Sequence, residues 1–153
     1  MDANFHLTPS AVAFTDAPGK AEALSFIAGL FADSYDLDAP SIEAALLQRE
    51  QLGSTGFGRR VALPHARFDG LKRPLAAFVK LDHPVEYEAA DGRPVDMAFG
   101  LLSPSDCGVT HLHALAAISR TMRDTDRLRQ LRSAQSPDAV YALLTNVSDR
   151  DAA

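Results

Sequence analysis

The residues best suited to chemistry lie close together in the chain. Arg49 is followed by a glycine-rich run, Gly53-Ser54-Thr55-Gly56-Phe57-Gly58, and then by Val61-Ala62-Leu63-Pro64-His65. An imidazole near neutral pH is partly uncharged, so one ring nitrogen keeps a free lone pair and can accept a phosphoryl group. Glycines let backbone N–H groups turn toward an anion, because no Cβ blocks positive φ. Hydroxyls add donors, and a guanidinium presents a planar fork matched to phosphate oxygens. His65 is therefore a candidate phosphoacceptor, and Arg49 a candidate charge partner. Ser54, Thr55, Gly56 and Gly58 are candidate phosphate-binding positions. A second histidine, His111, sits in Thr110-His111-Leu112-His113 at the start of a helical pattern. Helix N-termini favour anions, so His111 can serve as a donor to a phosphoryl oxygen if this end faces His65.

The same residues also fit a plainer description. Most glycine-rich runs are turns, and a histidine after a short strand is usually structural or solvated. Spacing alone leaves both readings open. His111 and His113 are not expected to hold a metal, since side chains at i and i+2 do not share a helix face. Cys107 is read as a small buried residue without activation. Arg127, Arg129 and Arg132 are expected to form a solvated helix face.

The elements that must position these groups follow from periodicity. Leu24, Ile27, Leu30 and Phe31 predict a helix over 20–32. Ile42, Ala45 and Leu46 predict a second helix over 41–52, with Ser41 as N-cap and Gly53 as the stop. The run 61–65 reads as a short strand that Pro64 must end or edge. Residues 75–81 and 85–88 read as strands, Asp91-Gly92 as a turn, and 95–102 as a buried central strand. The C-terminal third reads as helices: a stripe of Leu112, Leu115, Ile118 and Met122, then a helix with Leu128 and Leu131. A last helix opens at Ser136-Pro137. Helices, then strands, then helices imply an α/β (α+β) domain, a small mixed sheet flanked by helices. Residues 1–18 and 148–153 are expected to be loose or weakly docked.

The 153 residues suit one domain, and 46% apolar content with 23% charge matches a globular chain. A net charge of -5 without a Lys/Arg block argues against nucleic acid as a partner. No apolar run approaches the roughly 20 residues of a membrane span. A lone cysteine and an N-terminus without a secretion pattern favour the cytoplasm.

The stretch Arg49-Glu50, Gly53 to Gly58 and Val61-Ala62-Leu63-Pro64-His65 resembles the phosphorylation-site signature of the mannitol/fructose-type IIA components of the bacterial phosphotransferase system (PTS EIIA type-2). Pro94 to Pro104, Thr110 to Leu115 and Leu131 to Ser136 narrow the resemblance to the nitrogen-regulatory branch. The similarity runs over about residues 20–145. It implies the mannitol-type IIA fold and phosphorylation of His65 on Nε2, with Arg49 neutralising phosphate charge and His111 orienting the phosphoryl group. It implies no cofactor. The implied donor is an HPr-like carrier (NPr), and the implied targets are regulatory proteins such as potassium transport or sensor components. Two alternatives stay open: a sugar-transport component passing phosphate to a IIB protein, and an interaction module that is never phosphorylated. The chain departs from the family at Arg59-Arg60, where the branch has Asn-Gly, and at Ala66, where the family has glycine. The departure at Arg59-Arg60 is expected to place two extra cations beside the site.

Overall fold

The computed structural model describes residues 4–106 and 108–152, with 146–152 described by backbone alone. Cys107 lies outside the described residues. Six strands form one mixed sheet: β1 Val12–Thr15, β2 Gly56–Gly58, β3 Val61–Ala62, β4 His65–Phe68, β5 Leu75–Val85 and β6 Val95–Pro104. The order is β1-β5-β6-β3-β2, and β4 continues along β6 beyond β3. Five α-helices cover it: α1 Lys20–Tyr35, α2 Ala39–Gln51, α3 Val109–Arg123, α4 Thr125–Ser133 and α5 Pro137–Ala152.

Successive residues of a strand face opposite sides. Along β5 and β6, Ala77, Val79, Leu81, Ala98 and Leu102 pack under α1 and α2. Ala76, Phe78, Met97, Phe99 and Leu101 pack under α3, α4 and α5. This double burial explains why 97–102 reads as an unbroken apolar run. β6 is the spine of the sheet: it pairs antiparallel with β5 and parallel with both β3 and β4.

Several sequence expectations change. Residues 85–88 form no strand of their own, since β5 ends at Val85. The segment before residue 18 is docked rather than loose from residue 5 onward. β1 pairs in parallel with β5, His6 bridges Leu75, and Phe5 packs edge-on against Phe99. The α1 residue Tyr35 ties this segment down, its hydroxyl donating to Ala76 O at 2.7 Å. Helix α2 is capped by Asp38, whose carboxylate accepts from Ser41 N at 3.1 Å, with a proline in the first turn. Ser41 thus lies inside the helix. The α3 stripe is rotated: His111, Ala114, Ile118 and Met122 are buried while Leu112 is exposed. The Ser136 cap of α5 is present, its hydroxyl accepting from Ala139 N at 3.1 Å.

Arg59 and Arg60 form the two-residue turn between β2 and β3, with φ of 58° and 65°. This is the left-handed pair of a type I′ hairpin, the slot that Asn-Gly fills at least cost. Asp91 accepts from Arg59 N at 3.1 Å, and Arg60 pairs with Asp96 at 2.7 Å. Arg132 binds Asp96 through Nε at 3.1 Å and Arg59 O through Nη2 at 2.6 Å. The two arginines therefore occupy the hairpin tip, engaged with Asp91, Asp96 and the end of α3, rather than the surroundings of His65. Arg132 is likewise half-buried in this network and is no solvated face residue.

Gly100 in β6 lies beneath α1. A Cβ there would stand 3.1 Å from the buried Phe31 ring and 3.4 Å from Ile27. Gly100→Val should destabilise the fold by about 1–3 kcal/mol through overpacking. Urea unfolding checks this, and a midpoint at or above that of the parent would refute it.

Candidate active site

Three elements bring the site together. The first is the break between β3 and β4. Pro64 has no N–H to give to a ladder, so the run 61–68 divides into two short parallel strands on β6. His65 is consequently the first residue of β4, in register with Leu101, rather than the last residue of a strand. Its Nδ1 lies 2.7 Å from Leu63 O. A carbonyl can only accept, so Nδ1 carries the proton and Nε2 keeps the lone pair.

The second element is α3. Its first turn presents His111, whose ring centroid is 5.7 Å from that of His65 at 46° between planes. His111 is buried and His113 exposed, so these two histidines do not share a face. Burial first, then the charges of Arg67 and His65, holds the His111 pKa down at about 4. The His65 pKa is lowered mainly by burial and also by the Arg49 charge, while its carbonyl partner and Glu50 oppose the shift. Both rings are neutral at pH 7.

The third element is the end of α2. Arg49 donates through Nη1 to Gly53 O at 2.7 Å and is close enough to act on His65 electrostatically. The neighbouring Glu50 points inward. Its buried carboxylate accepts from Thr55 N at 3.0 Å, from the Thr55 hydroxyl, and from Tyr87 Oη at 3.1 Å. Lys20 completes the cluster at 3.1 Å from Glu50 and lies over the Tyr87 ring.

These contacts redraw the glycine-rich run. The Ser54 hydroxyl donates to Tyr87 O at 2.7 Å and accepts from Gly56 N at 3.0 Å. The hydroxyls and amides assigned from sequence to phosphate binding are thus largely committed to holding the loop. Gly56–Gly58 is a strand, β2, rather than a loop. Gly56 is needed for a close approach: a Cβ would meet Ala89 at 2.6 Å. Gly58 sits at the hairpin, with Asp91 as its nearest neighbour, and not in the pocket. Beside His65 a concave pocket of about 340 Å³ is lined by Ser54, Thr55, Gly56, Phe57, Leu63, Leu115 and Ser119.

Sequence reasoning missed three residues. Ser103 is fully buried, with Oγ 2.7 Å from His111 Nδ1. Arg67 follows His65 by two on β4 and contributes to the low His111 pKa. The period of two gave a signal for Arg67, and the R-E pair gave one for Glu50. Ser103 had no signal, since its partner lies on another element.

A neutral histidine whose Nε2 keeps its lone pair, a second neutral ring beside it and a guanidinium close by stand together on a mixed sheet between two helical layers. Comparison with known proteins gives the family. The chain matches, over residues 6–147, the family described as "Phosphoenolpyruvate-dependent sugar phosphotransferase system, EIIA 2", and it belongs to that family. Within it, the chain sides with the nitrogen-regulatory branch. It is 39% identical to a nitrogen regulatory protein of Pseudomonas aeruginosa over 146 residues, 94% of each chain. It is similar in structure to the nitrogen regulatory protein IIA-Ntr of Neisseria meningitidis, with TM-score 0.84 and 30% identity over 90% of this chain and 95% of that one. The mannitol IIA protein of Escherichia coli shares the fold, with TM-score 0.75 at 21% identity over 92% of this chain and 99% of that one. No helix among the described residues is long and apolar enough to cross a membrane.

The His111 shift has a consequence for stability. Its pKa lies below the usual 6.5, so the unfolded chain takes up the proton first as pH falls. The stability this group contributes is complete above pH 6.5 and is lost as pH falls toward 4. His111→Gln should therefore lose less stability than the parent across that window, measured by urea unfolding at each pH. An NMR titration of His111 with a midpoint near 6.5 would exclude this.

The close approach at Gly56 gives a second expectation. Gly56→Ala should cost about 2 kcal/mol and displace the 53–56 loop, because the added methyl meets backbone. Unchanged unfolding together with unchanged amide shifts in the loop would contradict it.

Proposed function

We propose that the protein is a regulatory phosphohistidine carrier. In this reading His65 Nε2 attacks the phosphorus of a phosphohistidine on an HPr-like carrier (NPr). A new N–P bond forms, the donor's N–P bond breaks, and the donor imidazole leaves with the electron pair. The phosphorylated and free forms then bind target proteins differently, in the cytoplasm, and so report nitrogen, carbon or potassium status. The observation that carries this is the His65 Nδ1 contact with Leu63 O, which leaves Nε2 as the nucleophile.

Phosphoryl transfer needs positioning and charge stabilisation more than covalent help. Arg49 offers charge to the phosphoryl oxygens and His111 offers a neutral donor. Burial keeps His65 unprotonated, so its lone pair is available at pH 7. Large apolar side chains stand exposed on the elements that carry these groups: Leu52 at 83% after α2, and Val109 and Leu112 at about 60% in the first turn of α3. An apolar rim beside a charged centre suits docking of a protein donor rather than a small substrate.

Incubation with enzyme I, an HPr-like carrier and phosphoenolpyruvate, followed by intact mass, tests the reading. The parent should gain one phosphoryl group, and His65→Ala should gain none while staying folded. Arg49→Ala should slow the transfer about a hundredfold, the scale of losing one transition-state donor. No mass gain in the parent would leave an interaction module. Sugar-dependent dephosphorylation with membranes would favour the transport role instead.

A further inference from the structure

We propose that Ser103 is a positioning residue that fixes the proton of His111 on Nε2, and so aims an N–H donor at the phosphoryl group on His65. The proposal rests on the reading of His65 as the phosphoacceptor. It adds a group on a separate strand that decides what the second histidine can do.

The geometry starts with register. In the parallel pairing of β4 and β6, His65 lies opposite Leu101 and Arg67 opposite Ser103. Paired residues project to the same side of a sheet, and so do residues two apart. His65, Arg67, Leu101 and Ser103 therefore share the face that α3 covers. Leu101 packs with Ala114 and Ile118 of α3 on this face. His111, in the first turn of α3, descends onto Ser103, with Nδ1 and Oγ separated by 2.7 Å.

The hydroxyl has one proton to place, and it is fully buried. Two arrangements satisfy the distance. If His111 Nδ1 were the donor, the serine proton would need another acceptor, and the described residues give this hydroxyl no other hydrogen-bond partner. A buried O–H left unpaired is costly. If Ser103 donates, its proton meets the Nδ1 lone pair and nothing is left over. The ring then carries its own proton on Nε2.

The two histidines consequently have opposite tautomers, each set by a different partner. The Leu63 carbonyl puts the His65 proton on Nδ1 and bares Nε2. The Ser103 hydroxyl does the reverse to His111. With ring centroids 5.7 Å apart, an acceptor nitrogen and a donor nitrogen stand on neighbouring rings. A phosphoryl group on His65 Nε2 brings oxygens that can only accept, and a His111 in the other tautomer would face them with a lone pair. Burial, and then the Arg67 charge, keep His111 neutral, so the arrangement depends on which nitrogen holds the single proton.

The test is the nitrogen-15 spectrum of the imidazoles at pH 7, with and without Ser103. In the parent, His111 should carry its proton on Nε2 and His65 on Nδ1. Ser103→Ala should return His111 to a mixture of tautomers and slow phosphorylation from the HPr-like donor about tenfold. Ser103→Thr, which keeps the hydroxyl, should restore both. A purely structural serine would not move the tautomer ratio. A parent His111 protonated on Nδ1 overturns the proposal, as does a Ser103→Ala variant with parental tautomers and rate. If the parent accepts no phosphoryl group at all, the carrier reading fails separately, and the parent spectrum still decides the role of Ser103.

Discussion

An imidazole attacks only through the nitrogen that lacks a proton, and in this fold the carbonyl of Leu63 decides which one that is. The contact spans two residues and 2.7 Å, and it exists because the chain does not run straight from β3 into β4. Pro64 interrupts the ladder, and the main chain bends so that the carbonyl before it faces the ring after it. β6 then fixes both halves of the break, since Val61 and Ala62 pair with Met97 and Ala98, and His65 with Leu101. A nucleophile on a free loop would sample both tautomers and many orientations. The His65 ring is held by a strand on one side and a proline on the other, so one tautomer and one direction are set by the fold, the kind of preorganisation on which the proposed transfer rests.

The glycine-rich run plays a different part from the one its composition suggests. Its hydroxyls and amides turn inward to Glu50 and Tyr87, and Lys20 pairs with Glu50 inside the cluster. A buried carboxylate is tolerated only when its lone pairs are filled, and four donors fill these. The loop is therefore a wall with a stiff back. The cationic groups that act on the paired histidines are instead Arg49 and Arg67. The gain is that these groups sit on regular elements rather than on the loop, so their positions are set by the packing of α2, β4 and α3.

Much of this was legible in the sequence, and the failures share a cause. The helices over 20–35 and 39–51 and the β6 strand announce themselves through local periodicity, and the motif around His65 marks the site. β1 does not, because a four-residue edge strand gains its identity from pairing with β5, far along the chain. β2 hides behind its glycines, which are there for the approach to Ala89 and for positive φ at residue 58. The capping of α2 was misassigned by three residues, since Asp38 and Ser41 are both good caps and only the following proline separates them. The α3 stripe is rotated because its buried face starts at His111, a residue that apolar periodicity does not count. It is inward because Ser103 gives it a partner, a contact between elements that no window of sequence contains.

The Arg59-Arg60 turn shows how a local misfit is absorbed. A left-handed conformation costs a non-glycine residue about 1–2 kcal/mol, and here two stand in succession. A free hairpin with this sequence would splay. In the fold, Asp96 receives both Arg60 and Arg132, Asp91 holds the Arg59 amide, and Arg132 reaches back to the Arg59 carbonyl. Asp96 is the well-covered member of this set, and the charged bonds it takes from Arg60 and Arg132 oppose the strain. The turn that Asn-Gly makes from backbone preference is made here by side chains, and it is tied to α4. Its register carries straight through β3 into Pro64 and His65. The charge at the hairpin tip thus bears on the site through the position of a strand, and the arginines act as its fastening rather than as ligands.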